Sequence, residues 1–211
     1  MLKKIKAYND FFTLEHRQSF ELIDGQGKIM VSAPHSATQI RRGKLKEAEP
    51  QTGVIAKLLH DDLDIPIIYK TKNMGDDANF DINSDYKKAL IEYIVNNKIK
   101  LLIDLHQLSP SRKEKIDICT GKLKNIDNPE IINVFFNEFL LADIDNIQID
   151  KPFSGSLPTT IVTYVRNITG IQSLQIEINS NLLYERFPDY NFIAVYQSIK
   201  KAICTIERNL I

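Results

Sequence analysis

The sequence predicts an α/β protein in which helices cover both faces of a mostly parallel mixed sheet, a three-layer α/β/α arrangement. Segments with strand character alternate along the chain with segments of helical periodicity, which is typical of a parallel sheet with crossover helices. Residues 99–105 contain a central apolar block that indicates a strand buried on both faces. With 211 residues and no repeat or clear linker, the chain suits one domain, residues 1–211.

The first half of the chain is predicted to contain three strands and two helices. In order, these are a strand at 20–23, a strand at 28–32, a helix at 51–62, a strand at 66–69 and a helix at 84–97. The first two strands flank Gly25 and Gly27, and because glycine accepts the positive φ values of tight turns, we expect them to pair as a hairpin. The second helix places one apolar face on Tyr86, Leu90, Tyr93 and Ile94.

The second half of the chain continues the alternation. Further strands are predicted at 99–105, 115–119 and 171–178, and the last helix carries an apolar stripe of Ile193, Tyr196, Ile199, Ile203, Ile206 and Leu210. Asn128, Pro129 and Glu130 open another helix, because they supply a cap residue, a first-turn proline and an acid that the helix dipole favours. Residues 159–165 fit two structures: β-branched residues favour a strand, while their position before a glycine allows a helix.

Composition argues against several classes of protein. The 27 basic and 27 acidic residues give zero net charge, which argues against a general nucleic-acid binder and against charge-driven binding to membranes. No stretch approaches the roughly 18 apolar residues of a membrane helix. The first six residues lack the apolar region of a signal peptide, so we expect a cytoplasmic protein. Cys119 and Cys204 form no motif and are expected to pack in the core.

Two histidines and one glutamate follow or end three of the predicted strands. His35 comes after the strand at 28–32, His106 follows the strand that begins at residue 99, and Glu177 lies near the end of the strand at 171–178. Because the carboxyl ends of parallel strands meet at one edge of a sheet, we expect these side chains to lie together. Imidazole is a common zinc ligand, and a catalytic zinc takes about three protein ligands and keeps a position for water.

Two acids in these segments are suited to supporting roles. Asp104 precedes His106 by two residues, and an acid so placed can orient a ligating ring. Glu177 lies in an apolar run, where a carboxylate is costly to bury without a function or a partner. His16 and His60 have no comparable context.

Five segments carry a family resemblance: A-P-H-S-A at 33–37, R-R-G-K-L-K-E-A-E-P-Q-T at 41–52, N-M-G-D-D-A-N-F-D at 73–81, I-D-L-H-Q at 103–107 and Q-I-E-I-N at 175–179. In this order they resemble the N-formylglutamate amidohydrolase family, which is distantly similar to zinc carboxypeptidases and aspartoacylase. The resemblance spans most of the chain from residue 30 to residue 180. It implies a phosphorylase/hydrolase-like α/β fold, one Zn²⁺ ion and hydrolysis of an N-acyl amide.

The resemblance also implies a set of metal ligands. His35 and His106 match the two histidine ligands of the family. The carboxypeptidase relatives place an acidic ligand three residues after the first histidine, where this chain has Thr38. The third ligand is therefore expected further along the chain, at Glu49 or, as the alternative, Glu47. Manganese, iron or cobalt would also suit such ligands.

Four residues are expected to bind substrate. Arginine can hold a carboxylate with two parallel hydrogen bonds, and five arginines are candidates for this role: Arg41, Arg42, Arg112, Arg166 and Arg186. Arg42 and Arg112 are favoured because each follows a proposed ligand segment. Asn79, in the polar cluster 73–79, and Asn179, at the end of the Q-I-E-I-N segment, complete the set. The cluster 73–79 is equally compatible with an ordinary acidic turn.

The expected reaction is hydrolysis of a C–N amide bond in a small N-acyl amino acid, for example an N-formyl amino acid. Glu177 matches the acid that serves in the family as general base or stabilises the activated water. As the base it takes a proton from water as the water attacks the amide carbonyl. Two alternatives remain: a zinc carboxypeptidase or cell-wall peptide amidase, and a non-catalytic binding protein on the same scaffold. The threonine at position 38 favours the last of these.

Overall fold

The computed structural model describes residues 1–211 and contains nine strands and seven helices. The strands are β1 (Phe20–Ile23), β2 (Ile29–Ala33), β3 (Gln39–Arg41), β4 (Lys44–Lys46), β5 (Ile67–Lys70), β6 (Leu101–Leu108), β7 (Ile116–Cys119), β8 (Ile147–Ile149) and β9 (Gln172–Asn179). The helices are α1 (Leu2–Thr13), α2 (Pro50–Leu63), α3 (Asp85–Asn97), α4 (Glu130–Leu141), α5 (Ile161–Thr169), α6 (Ser180–Leu183) and α7 (Phe192–Asn209).

Seven strands form one sheet in the order β1-β5-β2-β6-β9-β7-β8. The pairs β5/β2, β2/β6, β6/β9 and β7/β8 are parallel, whereas β1/β5 and β9/β7 are antiparallel. The remaining strands, β3 and β4, make a separate two-stranded hairpin. The predicted mostly parallel mixed sheet is confirmed.

Helices cover both faces of the sheet, as the three-layer prediction requires. Because successive strand residues point to opposite faces, β6 sends Ile103 into a core of 36 buried residues and Leu102 into a second core of 10. The large core packs against α2, α4 and α7, with α1 beyond α2, and the small core packs against α3 and α5. No helix combines the length and apolar character that a membrane crossing needs.

The predicted hairpin between residues 20–23 and 28–32 is wrong. β5 lies between β1 and β2, pairing antiparallel with the first and parallel with the second. The glycines between them therefore lie in a loop that connects β1 to β2 past the start of β5. In this loop Gly25 packs against the backbone of residues 64–66. Local turn residues do not reveal that a distant strand occupies the space between two neighbouring segments.

Other predicted elements differ in detail. Residues 161–169 form α5, which settles the choice between strand and helix. The final helix buries most of its predicted stripe, but Ile193 is 41% exposed and lies off that face. The sequence patterns do not predict helix α1, the hairpin β3–β4, strand β8 or the short helix α6.

Candidate metal centre

Three elements bring His35, Glu49 and His106 together at one edge of the sheet. His35 follows β2 directly, and Glu49 is the residue before the first turn of α2. His106 lies within β6, which continues three residues further than the sequence predicted. Both histidines are buried, with exposed fractions of 5% and 2%. The expected meeting of the two histidines at one edge of the sheet is therefore seen in the structure.

The nitrogen and oxygen atoms of this cluster have the spacing of metal ligands. The Nδ1 atoms of His35 and His106 lie 3.1 Å apart. Glu49 places Oε1 3.1 Å from Nδ1 of His35 and Oε2 3.5 Å from Nδ1 of His106. A tetrahedral zinc with bonds of about 2.0–2.1 Å holds its ligands roughly 3.3–3.4 Å apart. The three side chains therefore fit one small divalent ion.

Buried carboxylates hold the opposite side of each imidazole ring. Nε2 of His35 lies 3.0 Å from Asp77, and Nε2 of His106 lies 2.9 Å from Asp104. An ionised carboxylate only accepts hydrogen bonds, so each Nε2 carries the proton and leaves the Nδ1 lone pair free in the neutral ring. Carboxylates in this position orient ligating histidines and increase their basicity. Asp104 thus lies where the sequence predicted an orienting acid.

Glu49 is held by the backbone of both histidine segments. Its own N–H donates to the carbonyl of His35 at 2.7 Å. The N–H of Gln107, the residue after His106, donates to Oε2 of Glu49 at 2.9 Å. The first bond holds the backbone of Glu49 beside His35, and the second positions its carboxylate between the rings.

Electrostatics within the cluster favour an ionised carboxylate. Burial alone would raise the pKa of Glu49, but His35 and His106 outweigh it and lower that pKa to about 2. Burial alone would lower the pKa of His35, yet Glu49 and Asp77 raise it above its ordinary value. The acids around the rings thus attract positive charge, which either protons or a metal ion can supply. Metal binding at such a site releases protons.

Glu177 lies beside this cluster on the neighbouring strand. In the parallel register of β6 and β9, Glu177 is the partner of His106. Gln175 donates to Oε1 of Glu177 at 2.7 Å, and Oε2 makes no hydrogen bond within the protein. Burial raises the pKa of Glu177 to about 7, because the nearby histidines only partly offset the loss of solvation. A carboxylate with a pKa near neutrality is suited to taking and returning a proton.

The cluster opens into a cleft of about 510 Å³. His35, Glu49, His106 and Glu177 all line it, and only 2 of its 18 lining residues are hydrophobic. One wall is the segment 152–157. Asp117 on β7 anchors the start of this wall by accepting hydrogen bonds from the N–H groups of residues 151 and 153.

The predicted substrate-binding residues divide into one that lines the cleft and three that do not. Asn79 lines the cleft, with its amide 3.4 Å from Nε2 of His106. Arg42 lies at the tip of the β3–β4 hairpin over the ring of Phe80, and Arg112 lies over Phe153. Asn179 is engaged elsewhere, because its amide donates to the carbonyls of residues 112 and 114 and its oxygen caps α6.

Glu47, the alternative third ligand, lies on the exposed rim of the cleft and outside the ligand cluster. Two residues have larger parts in the site than the sequence indicated. The sequence alone places Asp77 in a polar cluster that fits an ordinary acidic turn, and it gives Arg41 no preference among five arginines. Arg41 lines the cleft, and its Nε donates to Asp77 at 2.6 Å. Arg41 lies two residues after Gln39, and Asp77 lies two residues before Asn79. This spacing was the signal in the sequence that could have indicated their place in the site.

The fold and the site together define an α/β protein with a candidate two-histidine, one-carboxylate metal centre at the sheet edge. No family model and no curated protein matches the sequence. Among solved structures, N-formylglutamate amidohydrolase from Ralstonia eutropha JMP134 is similar with a TM-score of 0.65 at 12% identity, over 92% of this chain and 99% of that one.

Two further solved structures share this fold. A bacteriophage poly-gamma-glutamate hydrolase has a TM-score of 0.58 at 11% identity, covering 95% of each chain. A metallo-carboxypeptidase from Burkholderia cenocepacia has a TM-score of 0.55 at 13% identity, over 96% of this chain and 67% of that chain. These similarities establish that the chain has the fold expected from its resemblance to the amidohydrolase family.

Proposed function

We propose that this protein is a metal-dependent hydrolase that cleaves the C–N amide bond of an N-acyl amino acid. The observation that carries the proposal is the convergence of two Nδ1 atoms and one carboxylate within 3.1–3.5 Å of one another, beside Glu177 in a polar cleft. Solved structures with this fold include an amidohydrolase, a poly-gamma-glutamate hydrolase and a metallo-carboxypeptidase, which supports amide hydrolysis.

His35, Glu49 and His106 would hold the metal, and zinc is the ion that their chemistry suits best. When bound, a divalent ion of this kind polarises the amide carbonyl and makes water more acidic. Asp77 and Asp104 keep both rings turned so that their Nδ1 atoms face the cleft. The protein's part at this centre is to fix the ligands before substrate arrives.

Glu177 would serve as the general base. Oε2 has no partner in the protein, so it is free to take a proton from the water that attacks the acyl carbon. Glu177 then returns that proton to the amine as the C–N bond breaks. Gln175 holds the other oxygen, Oε1, and thereby orients the carboxylate. The products are a carboxylic acid and an amine.

A peptide or polyamide substrate is the second candidate. The cleft volume of about 510 Å³ lies in the range of roughly 300–1,000 Å³ that holds drug-sized ligands, so a substrate longer than one N-acyl amino acid can enter. The segment 152–157 and the β3–β4 hairpin extend the walls beyond the metal centre. Assays against N-formyl and N-acetyl amino acids and against short peptides separate the two candidates.

Metal content tests the centre directly. We expect about one zinc per chain in the purified protein and loss of that zinc in His35→Ala, His106→Ala and Glu49→Ala. Glu47→Ala is the matched control, because it removes a nearby carboxylate that lies outside the cluster. Elemental analysis for zinc, manganese, iron and cobalt identifies the ion. A wild-type protein that binds none of these metals when they are supplied would refute the hydrolase proposal.

A further inference from the structure

A hairpin of basic residues forms part of the cleft wall. We call residues 39–46 the cationic hairpin: β3 and β4 joined by a turn at Arg42 and Gly43, whose φ values of 52° and 73° are those of a tight two-residue hairpin turn. The hairpin carries Arg41, Arg42, Lys44 and Lys46 and no acid. This is a local excess of positive charge in a chain whose net charge is zero.

The strand pairing of the hairpin places most of its basic side chains on the face toward the cleft. Gln39 pairs with Lys46, and Arg41 pairs with Lys44. Residues paired directly across two strands share a face, so these four side chains lie on one side of the hairpin. Gln39, Arg41 and Lys46 line the cleft, so the shared face is the cleft face. Lys44 continues that face toward the exposed tip.

The charges on this face have few partners within the protein. Like charges directly opposite each other across two strands are destabilising, and Arg41 and Lys44 form such a pair. Among the cations on this face, only Arg41 forms an ion pair, and its partner is Asp77. Arg41 uses only Nε on Asp77, which leaves its two terminal nitrogens free. An anion in the cleft would relieve this repulsion and fill these donors.

We propose that the cleft accepts an acidic polyamide, a chain with carboxylates on successive residues, and that the cationic hairpin binds those carboxylates beside the amide bond to be cleaved. The inference rests on the proposed hydrolase function with its second candidate substrate, a peptide or polyamide, and names the chemical class of that substrate. A substrate with one carboxylate would engage only one of the three cations on the face, whereas an acidic chain engages Arg41, Lys46 and Lys44 in turn. The reaction consumes one water, breaks one C–N bond and yields one carboxylic acid and one amine.

Binding measurements test the surface without requiring turnover. Fluorescein-labelled hexaglutamate, both α-linked and γ-linked, is titrated by anisotropy against the metal-loaded protein, with labelled hexaglutamine as the neutral probe. The variant Lys44→Glu/Lys46→Glu reverses two charges on the cationic hairpin. The matched control Lys3→Glu/Lys201→Glu makes the same change in net charge at exposed positions on α1 and α7.

We expect at least one hexaglutamate to bind more tightly than hexaglutamine. The hairpin variant should weaken that binding roughly 10- to 100-fold, since each reversal replaces an attraction with a repulsion in water. The control variant should stay within about twofold. Binding should weaken as salt rises from about 0.05 to 0.5 M, because exposed charges are screened.

Three results would overturn the proposal. The first is equal affinity for hexaglutamate and hexaglutamine, and the second is an equal loss of hexaglutamate affinity in the hairpin and control variants. The third is hairpin-dependent binding of a single-stranded oligonucleotide that is tighter than the binding of hexaglutamate. Circular dichroism checks the fold, and Lys44→Gln/Lys46→Gln replaces the reversal if that variant misfolds. Failure of the proposed hydrolase function has a separate signature. It would appear as absence of turnover on every amide while hairpin-dependent binding of hexaglutamate persists.

Discussion

Replacing Asp77 with asparagine tests whether the carboxylates behind the histidine rings support the proposed metal centre. Asp77 is fully buried, and both of its oxygens accept hydrogen bonds. Oδ1 faces Nε2 of His35 and the N–H of Asn79, each at 3.0 Å, and Oδ2 faces Nε of Arg41 at 2.6 Å. An asparagine amide offers one oxygen, so its NH₂ group must point at a donor on one side or the other.

The expected loss of zinc affinity in Asp77→Asn follows from that mismatch in hydrogen bonding. Burial opposes ionisation of Asp77, yet His35 and Arg41 hold its pKa below the ordinary range, so the wild-type carboxylate is charged at neutral pH. Losing such a partner typically weakens metal binding 10- to 100-fold, or about 1.4–2.7 kcal/mol. We expect a rise in the zinc dissociation constant of this size in Asp77→Asn.

Competition between the protein and a fluorescent zinc chelator measures this dissociation constant. Asp85→Asn is the matched control, because Asp85 is an exposed acid at the start of α3. Thermal melts establish that both variants fold. If folded Asp77→Asn binds zinc as tightly as the wild type, the carboxylate does not support His35 and the argument from orientation fails.

The remaining predictions concern Glu177 and Gly25. Glu177→Gln should lower kcat by at least about 100-fold and leave the metal content unchanged; loss of metal would mean that Glu177 is a ligand. Because burial raises the pKa of Glu177 to about 7 and the base must be unprotonated, kcat/KM of the wild type should fall as pH drops through that value. A pH–rate profile that stays flat down to pH ~5 would contradict this role. Gly25→Ala should destabilise the protein by roughly 1–3 kcal/mol in urea unfolding, because a Cβ would lie 2.5 Å from the carbonyl oxygen of Asp64. Unchanged stability would show that the loop containing Gly25 can move away from the backbone of residues 64–66.

The sequence predicted the layers of the fold because their periodicity is local. The helices α2, α3 and α7 and the buried strand β6 follow directly from apolar spacing. The order of strands depends on pairing between distant segments, which is why the hairpin at residues 20–32 was predicted where β5 in fact intervenes.

The sequence predicted those residues of the candidate site whose positions depend on where a strand ends. His35, His106 and Glu177 meet because parallel strands end at one edge. Arg42 and Asn179 do not line the cleft, for reasons that only the backbone shows. Arg42 sits at the turn of the hairpin with a φ of 52°, and Asn179 satisfies nearby carbonyls and caps α6.

The backbone hydrogen bonds that hold Glu49 bear on which changes would disturb the proposed metal centre. One bond ties Glu49 to the carbonyl of His35, and the other ties its carboxylate to the N–H after His106. The three proposed ligands are therefore linked through the main chain. A substitution that moves the start of α2 away from β2 or β6 would displace the carboxylate from both rings, even where no ligand side chain is altered.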